Sequence, residues 1–241
     1  MKTLIRSVAS LVLALSAPTL ALAAGPTGAP SKFAVATIRF EQNATDGDVE
    51  AVFEIAGHED GLAKLKVVAP NGRTVIDFSA PAALTAGAAK HAATAGIRQF
   101  IFESPEPTDI AGLKASYPAG EYTVTGTTVA GAQLQSKATL NHALPATTSF
   151  VVPEADAQDV AAEGLTIEWA PVKGVLGYAL ELSHEESNAS IEVKLPASAT
   201  SFAVPEGFLV SGQTYQLGIG TVSADGNVSY IETEFSAAAG K

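Results

Sequence analysis

The segment Leu165–Ser183 alternates apolar and polar residues on both sides of a short break, and this pattern constrains the fold more than any other in the chain. Leu165, Ile167 and Trp169 alternate before the break, and Tyr178 opens a second alternating run after it. A period of two residues places side chains of one kind on one face of a β-strand. The segment therefore predicts two half-buried strands joined by a turn, with Trp169 and Tyr178 in the core.

Two stretches of this region resemble fibronectin type III domains. Tryptophan followed by x-Pro, a short Gly-containing turn and Tyr-x-Leu-x-Leu, here residues 169–182, is similar to strands B and C of that family. The stretch PEGFLVSGQTYQLGIGTVSADGN, residues 205–227, resembles its E–F corner and F strand, with Tyr215 at the tyrosine corner. The resemblance covers about residues 145–238. It implies a β-sandwich without implying an activity, because this fold supports many unrelated binding roles.

Residues 148–238 are therefore expected to form a fibronectin type III-like domain of seven strands separated by turns. The alternation predicts strand A over 148–152, C′ over 190–196 and G over 228–235. Strand E is expected around Phe202, and strand F is expected to run from Tyr215 through Ile219.

Residues 33–141 also read as β-strands and predict an immunoglobulin-like β-sandwich. Asn71-Gly72 lies between two apolar runs and predicts a type I′ hairpin turn. Pro81–Ala95 is alanine-rich and is compatible with either a short helix or a loop. Thr108 is expected to cap a short helix that Pro118 ends. The strand entry Pro-x-Gly-x-Tyr at 118–122 is similar to that of many bacterial immunoglobulin-like modules.

Residues 142–147 contain Leu144-Pro145 and form a short linker between the two halves. A linker this short, with a proline, gives little reach and predicts a restricted relative orientation of the two domains. The expected fold class is thus all-β, with two immunoglobulin-like β-sandwiches in tandem.

The first 23 residues have the features of a secretory signal peptide. Lys2 and Arg6 precede an apolar run over 8–22, and Ala21-Leu22-Ala23 is an A-x-A cleavage site. A transmembrane helix is the less favoured alternative, because the run is short and weakly flanked. Residues 24–32, rich in glycine and proline, are expected to be a flexible leader. The sequence therefore predicts a periplasmic or extracellular protein.

The chain is acidic and contains no cysteine. Its formal net charge is −11, and loss of Lys2 and Arg6 with the signal peptide makes it −13. A charge of this sign and size repels nucleic acid and anionic lipid, so neither is expected as a partner. Without cysteine, disulfides, thiolate catalysis and cysteine-ligated zinc are excluded.

The sequence carries no recognisable catalytic motif. The four histidines, His58, His91, His142 and His184, lie outside any G-x-S-x-G or H-E-x-x-H pattern. The polar segments that begin at His58 and at His184 look like hairpin tips between strands. An acidic cluster at Asn43, Asp46, Asp48 and Glu50 resembles a fragment of a calcium loop. A structural turn is favoured there, because the closing glutamate of an EF-hand is missing. No enzyme activity, cofactor or metal is predicted.

One strand face predicts a surface for binding. If Tyr215, Leu217 and Ile219 face inward, Gly218 and Gly220 face outward in the middle of a strand. Glycine at such a position often marks the close approach of another group. The predicted docking face comprises these two glycines and the acidic and aromatic residues expected beside them: Glu181, Gly218, Gly220, Tyr230, Glu232 and Glu234. An ordinary polar outer face of a sheet is favoured over this interpretation. A docking surface there would bind either the first domain or a partner.

The function expected from these features is that of a secreted or periplasmic, non-enzymatic binding or spacer module. Its expected partner is a protein or a glycan of the cell envelope. A carbohydrate-binding accessory protein is the alternative, and it requires a row of exposed aromatic side chains. A hydrolase is a third hypothesis, which requires a His–carboxylate–Ser arrangement.

Overall fold

The computed structural model of the chain describes residues 29–80, 96–105, 109–184 and 186–240. The expected signal peptide at 1–23, residues 24–28 of the leader, the segment Pro81–Ala95 and Thr108 lie outside these ranges. Among the described residues, the regular secondary structure is β-strand apart from one short helix, so the predicted all-β class is confirmed. Among them, no helix has the length and apolarity needed to cross a bilayer.

The described residues of the first half of the chain contain seven strands and one helix. They are β1 (Val35–Asn43), β2 (Asp48–Ala56), β3 (Leu62–Val68), β4 (Thr74–Ser79), β5 (Gln99–Glu103), α1 (Ile110–Ser116), β6 (Gly120–Thr128) and β7 (Gln133–Leu140). Strands β4-β3-β6-β7 form one sheet, and β1, β2 and β5 pair side by side in another. Alternating residues of both layers, among them Phe40, Phe53, Leu65 and Tyr122, meet in one hydrophobic core.

Seven further strands form a second sandwich with its own core. They are β8 (Phe150–Val152), β9 (Thr166–Trp169), β10 (Gly177–His184), β11 (Ala189–Pro196), β12 (Ser201–Ala203), β13 (Thr214–Val222) and β14 (Val228–Ser236). The sheet β12-β9-β8 packs on strands paired in the order β11-β10-β13-β14. These are the A-B-E and C′-C-F-G sheets of a fibronectin type III-like fold.

Trp169 and Tyr215 hold two parts of this second core. Trp169 is buried, and its ring lies 5.5 Å from that of Tyr178. The buried Tyr215 ring stacks on Phe235, while its hydroxyl accepts the Val210 N–H at 2.7 Å and donates to the Phe208 carbonyl at 3.3 Å. This hydroxyl therefore ties the loop before β13 to the core, as a tyrosine corner does.

The two sandwiches share one continuous sheet. Strand β1 pairs in parallel with β14, placing Glu41 opposite Val228 and Asn43 opposite Tyr230. The resulting seven-stranded sheet has the order β11-β10-β13-β14-β1-β2-β5. The expected restricted orientation of the two halves thus has a direct physical basis in backbone hydrogen bonds, in addition to the short linker.

Asn227, only 1 % exposed, fastens this junction from within. Its Oδ1 accepts the Phe40 N–H at 2.8 Å, and its Nδ2 donates to the carbonyls of Asn141 and Ala143 at 3.1 and 2.9 Å. The Asn227 side chain of the second sandwich therefore binds both strand β1 of the first sandwich and the linker. Nearby, the His142 ring stacks on Phe40 with centroids 4.6 Å apart.

Two local predictions are wrong in detail. The turn at Asn71-Gly72 is not type I′, because only Gly72 has positive φ, at +83°, and its N–H donates to the Ala69 carbonyl. Pro70 is the second residue of this turn and fixes a negative φ, which favours a type I turn followed by a left-handed glycine. The helix α1 is capped by Asp109, whose carboxylate accepts the Gly112 N–H, and not by Thr108.

His184 is also misplaced by the sequence analysis, which expected a solvated hairpin tip. It is the last residue of β10 and is 9 % exposed, with its ring 5.1 Å from that of Tyr215. The alternation of Leu180 and Leu182 continues to residue 184 and turns its side chain inward.

We predict that Asn227→Ala lowers the free energy of unfolding by about 2–4 kcal/mol, because it leaves buried donors and acceptors of both halves without partners. Urea denaturation of the purified chain measures this. Asn71→Ala, in an exposed turn, serves as the matched control and should cost less than about 1 kcal/mol. Equal unfolding midpoints for the two variants would show that Asn227 does not hold the junction.

Candidate docking face

The predicted docking face lies on three neighbouring strands of the seven-stranded sheet. Glu181 on β10 is opposite Gly218 on β13, which is opposite Glu232 on β14. One register step away, Gly220 is opposite Tyr230, and Glu234 is opposite Gln216. The structure thus brings all six residues together on the side of the sheet that faces away from the core.

Tyr230 fills part of the centre that the sequence analysis expected to be free of side chains. Its hydroxyl donates to Glu181 Oε1 at 3.0 Å, so the side chain reaches from β14 across β13 to β10. A Cβ atom on Gly220 would lie 2.8 Å from Tyr230 Cε1 and from Val228 Cγ1. Gly220 therefore makes room for an aromatic ring of the same chain, and the close approach signalled by this glycine is intramolecular.

Gly218, by contrast, forms part of an open depression. A Cβ atom there would make ordinary contacts of 3.7–3.8 Å with Glu181, Glu232 and Tyr230. The depression has a volume of about 230 Å³ and is lined by Glu181, Ser183, Gln216, Leu217, Gly218 and Glu232. The carboxylate of Glu181 therefore lies on one side of a shallow, polar space in the middle of the face, and the carboxylate of Glu232 lies on the other.

The acidic cluster that resembles a calcium loop lies in the β1–β2 turn beside this depression. Asn43 Nδ2 donates to Asp46 Oδ2 at 3.1 Å and to Glu232 Oε2 at 2.9 Å, and Asp48 N–H donates to Asp46 Oδ1. The Asn43 amide and the Asp46 carboxylate therefore form hydrogen bonds that stabilise the turn, and Asn43 also binds Glu232 across the junction. Among the described residues, no three acidic or histidine side chains are grouped so as to hold a metal ion.

Carboxylates continue along the same side of the sheet into the first sandwich. Glu41 lies directly opposite Glu50, and Glu181 directly opposite Glu192. Like charges in directly opposite cross-strand positions destabilise a sheet. Arg39 pairs with Glu41 at 3.0 Å and approaches Glu54 at 3.7 Å. Sequence patterns miss these pairs, because the register between strands is fixed only by the fold.

The environment raises the pKa of two of these glutamates. Burial, together with the negative charges of Glu103 and Glu41, raises the pKa of Glu50 from 4.5 to about 7. Burial also raises the pKa of Glu181, an effect opposed by the Tyr230 hydrogen bond and reinforced by Glu41. The carboxylates of this surface therefore repel one another, and the neighbouring cation Arg39 offsets this repulsion at Glu50 only in part.

A second cavity of about 360 Å³ opens where the two sandwiches meet. Arg39 and Glu54 from the first sandwich and Leu176 and Tyr230 from the second are among the residues that line it. No sequence pattern predicts this cavity, because its walls come from strands that meet only through the parallel pairing of β1 with β14.

The structure also locates the groups required by the two alternative functions. No aromatic side chain is among the large hydrophobic residues that are exposed in the described part of the chain, and Trp169 is in the core. His184 Nδ1 is 2.7 Å from Ser187 Oγ, and its Nε2 is 3.3 Å from the uncharged Gln213 amide oxygen, where a triad has a carboxylate. His58 and His142 bond backbone carbonyls, and His91 lies outside the described residues.

Comparisons with known proteins give structural likenesses only. No protein-family model matches the chain, and no curated protein matches it. Fibronectin(III)-like modules of CbhA from Clostridium thermocellum are 10 % identical, with 89 % of this chain and 93 % of that chain covered and a TM-score of 0.33. A two-domain fibronectin type-III segment of chicken tenascin is 15 % identical, covering 82 % and 95 %, with a TM-score of 0.30.

The BSP domain of a biofilm-associated protein is 16 % identical, with 87 % of this chain and 30 % of that chain covered and a TM-score of 0.29. The fold of the present chain is assigned from its own strand order and its two cores.

We predict that Gly220→Ala lowers the free energy of unfolding by about 1–3 kcal/mol, because the added methyl group collides with the Tyr230 ring and Val228. Gly218→Ala is the matched control. Its methyl group fits, and the lower backbone entropy of the unfolded chain should make this variant neutral or more stable by up to about 1 kcal/mol. Urea denaturation compares the two, and equal effects would contradict the packing of Tyr230 over Gly220.

We predict that Glu50 makes the fold less stable as pH rises. Its folded-state pKa, about 7, lies above its ordinary value of 4.5, so the folded state holds the proton more tightly and stability falls between these two pH values. Glu50→Gln should remove this slope and add about 0.5–1 kcal/mol at a pH above 7. Unfolding measured at several pH values tests this, with exposed Glu168→Gln as control. A slope unchanged by Glu50→Gln would contradict the prediction.

Proposed function

We propose that the chain is a secreted, non-catalytic module of the cell envelope that binds a partner protein on its docking face. The observation that carries this proposal is the single seven-stranded sheet, which crosses both sandwiches and brings carboxylates of both onto its outer side, beside the docking face. The signal-peptide features of residues 1–23 support secretion.

The junction between the sandwiches supports a spacer role. Strand pairing at Glu41–Asn43 and the buried bonds of Asn227 fix the second sandwich relative to the first. Thr221 adds a hydrogen bond from its hydroxyl to the Ala146 carbonyl in the linker, at 2.8 Å. A pair of domains held by backbone pairing presents its binding surface in one orientation, which reduces the entropy lost when a partner binds.

The charge of the face defines the chemistry of its partner. Glu181 and Glu232 flank the depression at Gly218, and Glu234 lies next to them on β14. A basic protein segment complements these carboxylates, whereas nucleic acid and anionic lipid are repelled. A lysine or arginine side chain is narrow enough to enter a depression of about 230 Å³ without displacing Tyr230.

A protein partner fits this surface better than a glycan does. Sugar rings are usually held on exposed aromatic faces, and Tyr230, the aromatic residue of the docking face, is tied to Glu181 across the sheet. Catalysis is not part of the proposal, because the His184–Ser187 contact joins residues of one turn and is completed by an amide.

Site-specific photo-crosslinking in the organism that produces the protein tests the proposal. A photoreactive phenylalanine derivative at exposed Gln216, beside the depression, should give a discrete crosslinked species. The same residue at exposed Glu168, on the opposite sheet of the same sandwich, should give none. Crosslinks of equal pattern from both positions, or none from Gln216, would show that the docking face does not bind a partner protein.

We further predict that Gly218→Phe abolishes the crosslink from Gln216, because the new ring fills the depression. The fold should be retained, because the side chain points away from the core and its Cβ has ordinary contacts. Circular dichroism and urea denaturation check that the variant is folded. A folded Gly218→Phe variant that still gives the crosslink would exclude the depression as the binding site.

A further inference from the structure

Strand β11 is one edge of the seven-stranded sheet. In the described part of the chain it is paired with β10 alone, and its residues Ala189–Leu195 make no backbone hydrogen bond to any other segment. Half of its backbone N–H and C=O groups therefore point outward from the sheet. Such an edge is a template for pairing with another strand.

The side chains of this edge strand form a self-complementary pattern. Residues 191–195 read Ile-Glu-Val-Lys-Leu, with Val193 at the centre. In an antiparallel pair of two identical strands centred on Val193, Glu192 lies opposite Lys194 on both sides of the centre. The same register places Ile191 opposite Leu195 and Val193 opposite itself.

We propose that β11 pairs antiparallel with β11 of a second copy of this chain, about a two-fold axis at Val193. The interface is isologous, so each contact made on one side of the axis is repeated on the other. The seven-stranded sheets of the two copies become one sheet. The docking faces remain open, because the contact is made through strand edges.

Charge complementarity selects this register. Within one copy, Glu192 lies opposite Glu181, and neither Glu192 nor Lys194 forms an ion pair with another described residue. In the two-fold pair, each Glu192 gains Lys194 of the second copy as its cross-strand neighbour. Two opposite-charge pairs replace two uncompensated glutamates, and cross-strand pairs of this kind stabilise a sheet.

The other face of β11 supports the same register. Ile191, Val193 and Leu195 are half-buried and pack against the core of the second sandwich. Pairing at the edge would place Ile191 and Leu195 of the two copies side by side and cover the exposed remainder of each. The apolar layer beneath the sheet then continues from one copy into the next, as it does between neighbouring strands within a sandwich.

Charged residues on an edge strand also serve to prevent pairing, and this explanation makes a different prediction. An edge protected by charge repels a second copy, so reversing one charge would leave the chain monomeric as before. In the two-fold register, reversing one charge converts two attractive pairs into two repulsive pairs, whereas reversing both restores attraction.

Sedimentation equilibrium over a concentration series of the mature chain tests the proposal. We expect wild type to dimerise, and Glu192→Lys and Lys194→Glu each to raise the dissociation constant by at least about tenfold. The double variant Glu192→Lys/Lys194→Glu should dimerise like wild type. An equimolar mixture of the two single variants should form a mixed dimer, since a strand with two lysines then faces a strand with two glutamates.

A cysteine pair gives a second measurement that does not depend on affinity. The chain has no cysteine, so Val193→Cys introduces a single thiol. Directly opposite residues in an antiparallel pair have Cα atoms about 4.5–5.5 Å apart, a separation that a disulfide spans. Mild oxidation should therefore link two Val193→Cys copies much faster than two Glu192→Cys copies, which face Lys194.

Three results would overturn the proposal. The first is a wild type that is monomeric at every concentration and shows no preferential linking of Val193→Cys. The second is a wild-type dimer whose dissociation constant is unchanged by either single charge reversal. The third is a double variant that fails to dimerise although circular dichroism shows it is folded.

Discussion

The parallel pairing of β1 with β14 joins two hydrophobic cores into one sheet, and the rest of the molecule depends on it. The pairing itself covers only three residue pairs, from Glu41 opposite Val228 to Asn43 opposite Tyr230. It is reinforced from inside by Asn227 and from outside by the β1–β2 turn, where Ala44 N–H donates to the Tyr230 carbonyl at 2.8 Å. The buried hydrogen bonds of Asn227 stabilise this short ladder, because they pair polar groups of both sandwiches away from water.

The junction also removes an exposed edge from the second sandwich. Without β1, the first residues of β14 would present unpaired backbone groups to solvent. Its last residues are covered from within the same sandwich, where Val160 N–H donates to the Ser236 carbonyl. The edge of β14 is therefore occupied at both ends, and β11 at the opposite side of the sheet is left with an open edge on the second sandwich. This asymmetry places self-association at β11 and leaves β14 to the domain junction.

The same junction gives the outer face its electrostatic character. Glutamates of both sandwiches come to lie on one surface, and Glu41 of β1 contributes to the raised pKa of both Glu50 and Glu181. Tyr230 stabilises the middle of this surface by covering Gly220 and binding Glu181. The face is thus filled by Tyr230 at Gly220 and open at Gly218, so one glycine packs under a side chain of the same chain and the other borders the depression.

The sequence by itself determined the strands, the two cores and the side of each strand that is buried. Alternation with a period of two is a local property, so it placed Trp169, Tyr178 and Tyr215 in the core and Glu181, Glu232 and Glu234 on the opposite face. Only the tertiary structure decided which strands became neighbours. The pairing of β1 with β14, the Glu41–Glu50 opposition and the cover of Tyr230 over Gly220 depend on contacts between residues far apart in the chain. Two errors were local. Pro70 sets the turn type, although Asn71-Gly72 predicted type I′. The alternation of β10 turns His184 inward, although the neighbouring charges predicted an exposed hairpin tip. Register and long-range pairing arise from the packing of whole sheets, and no local pattern encodes them.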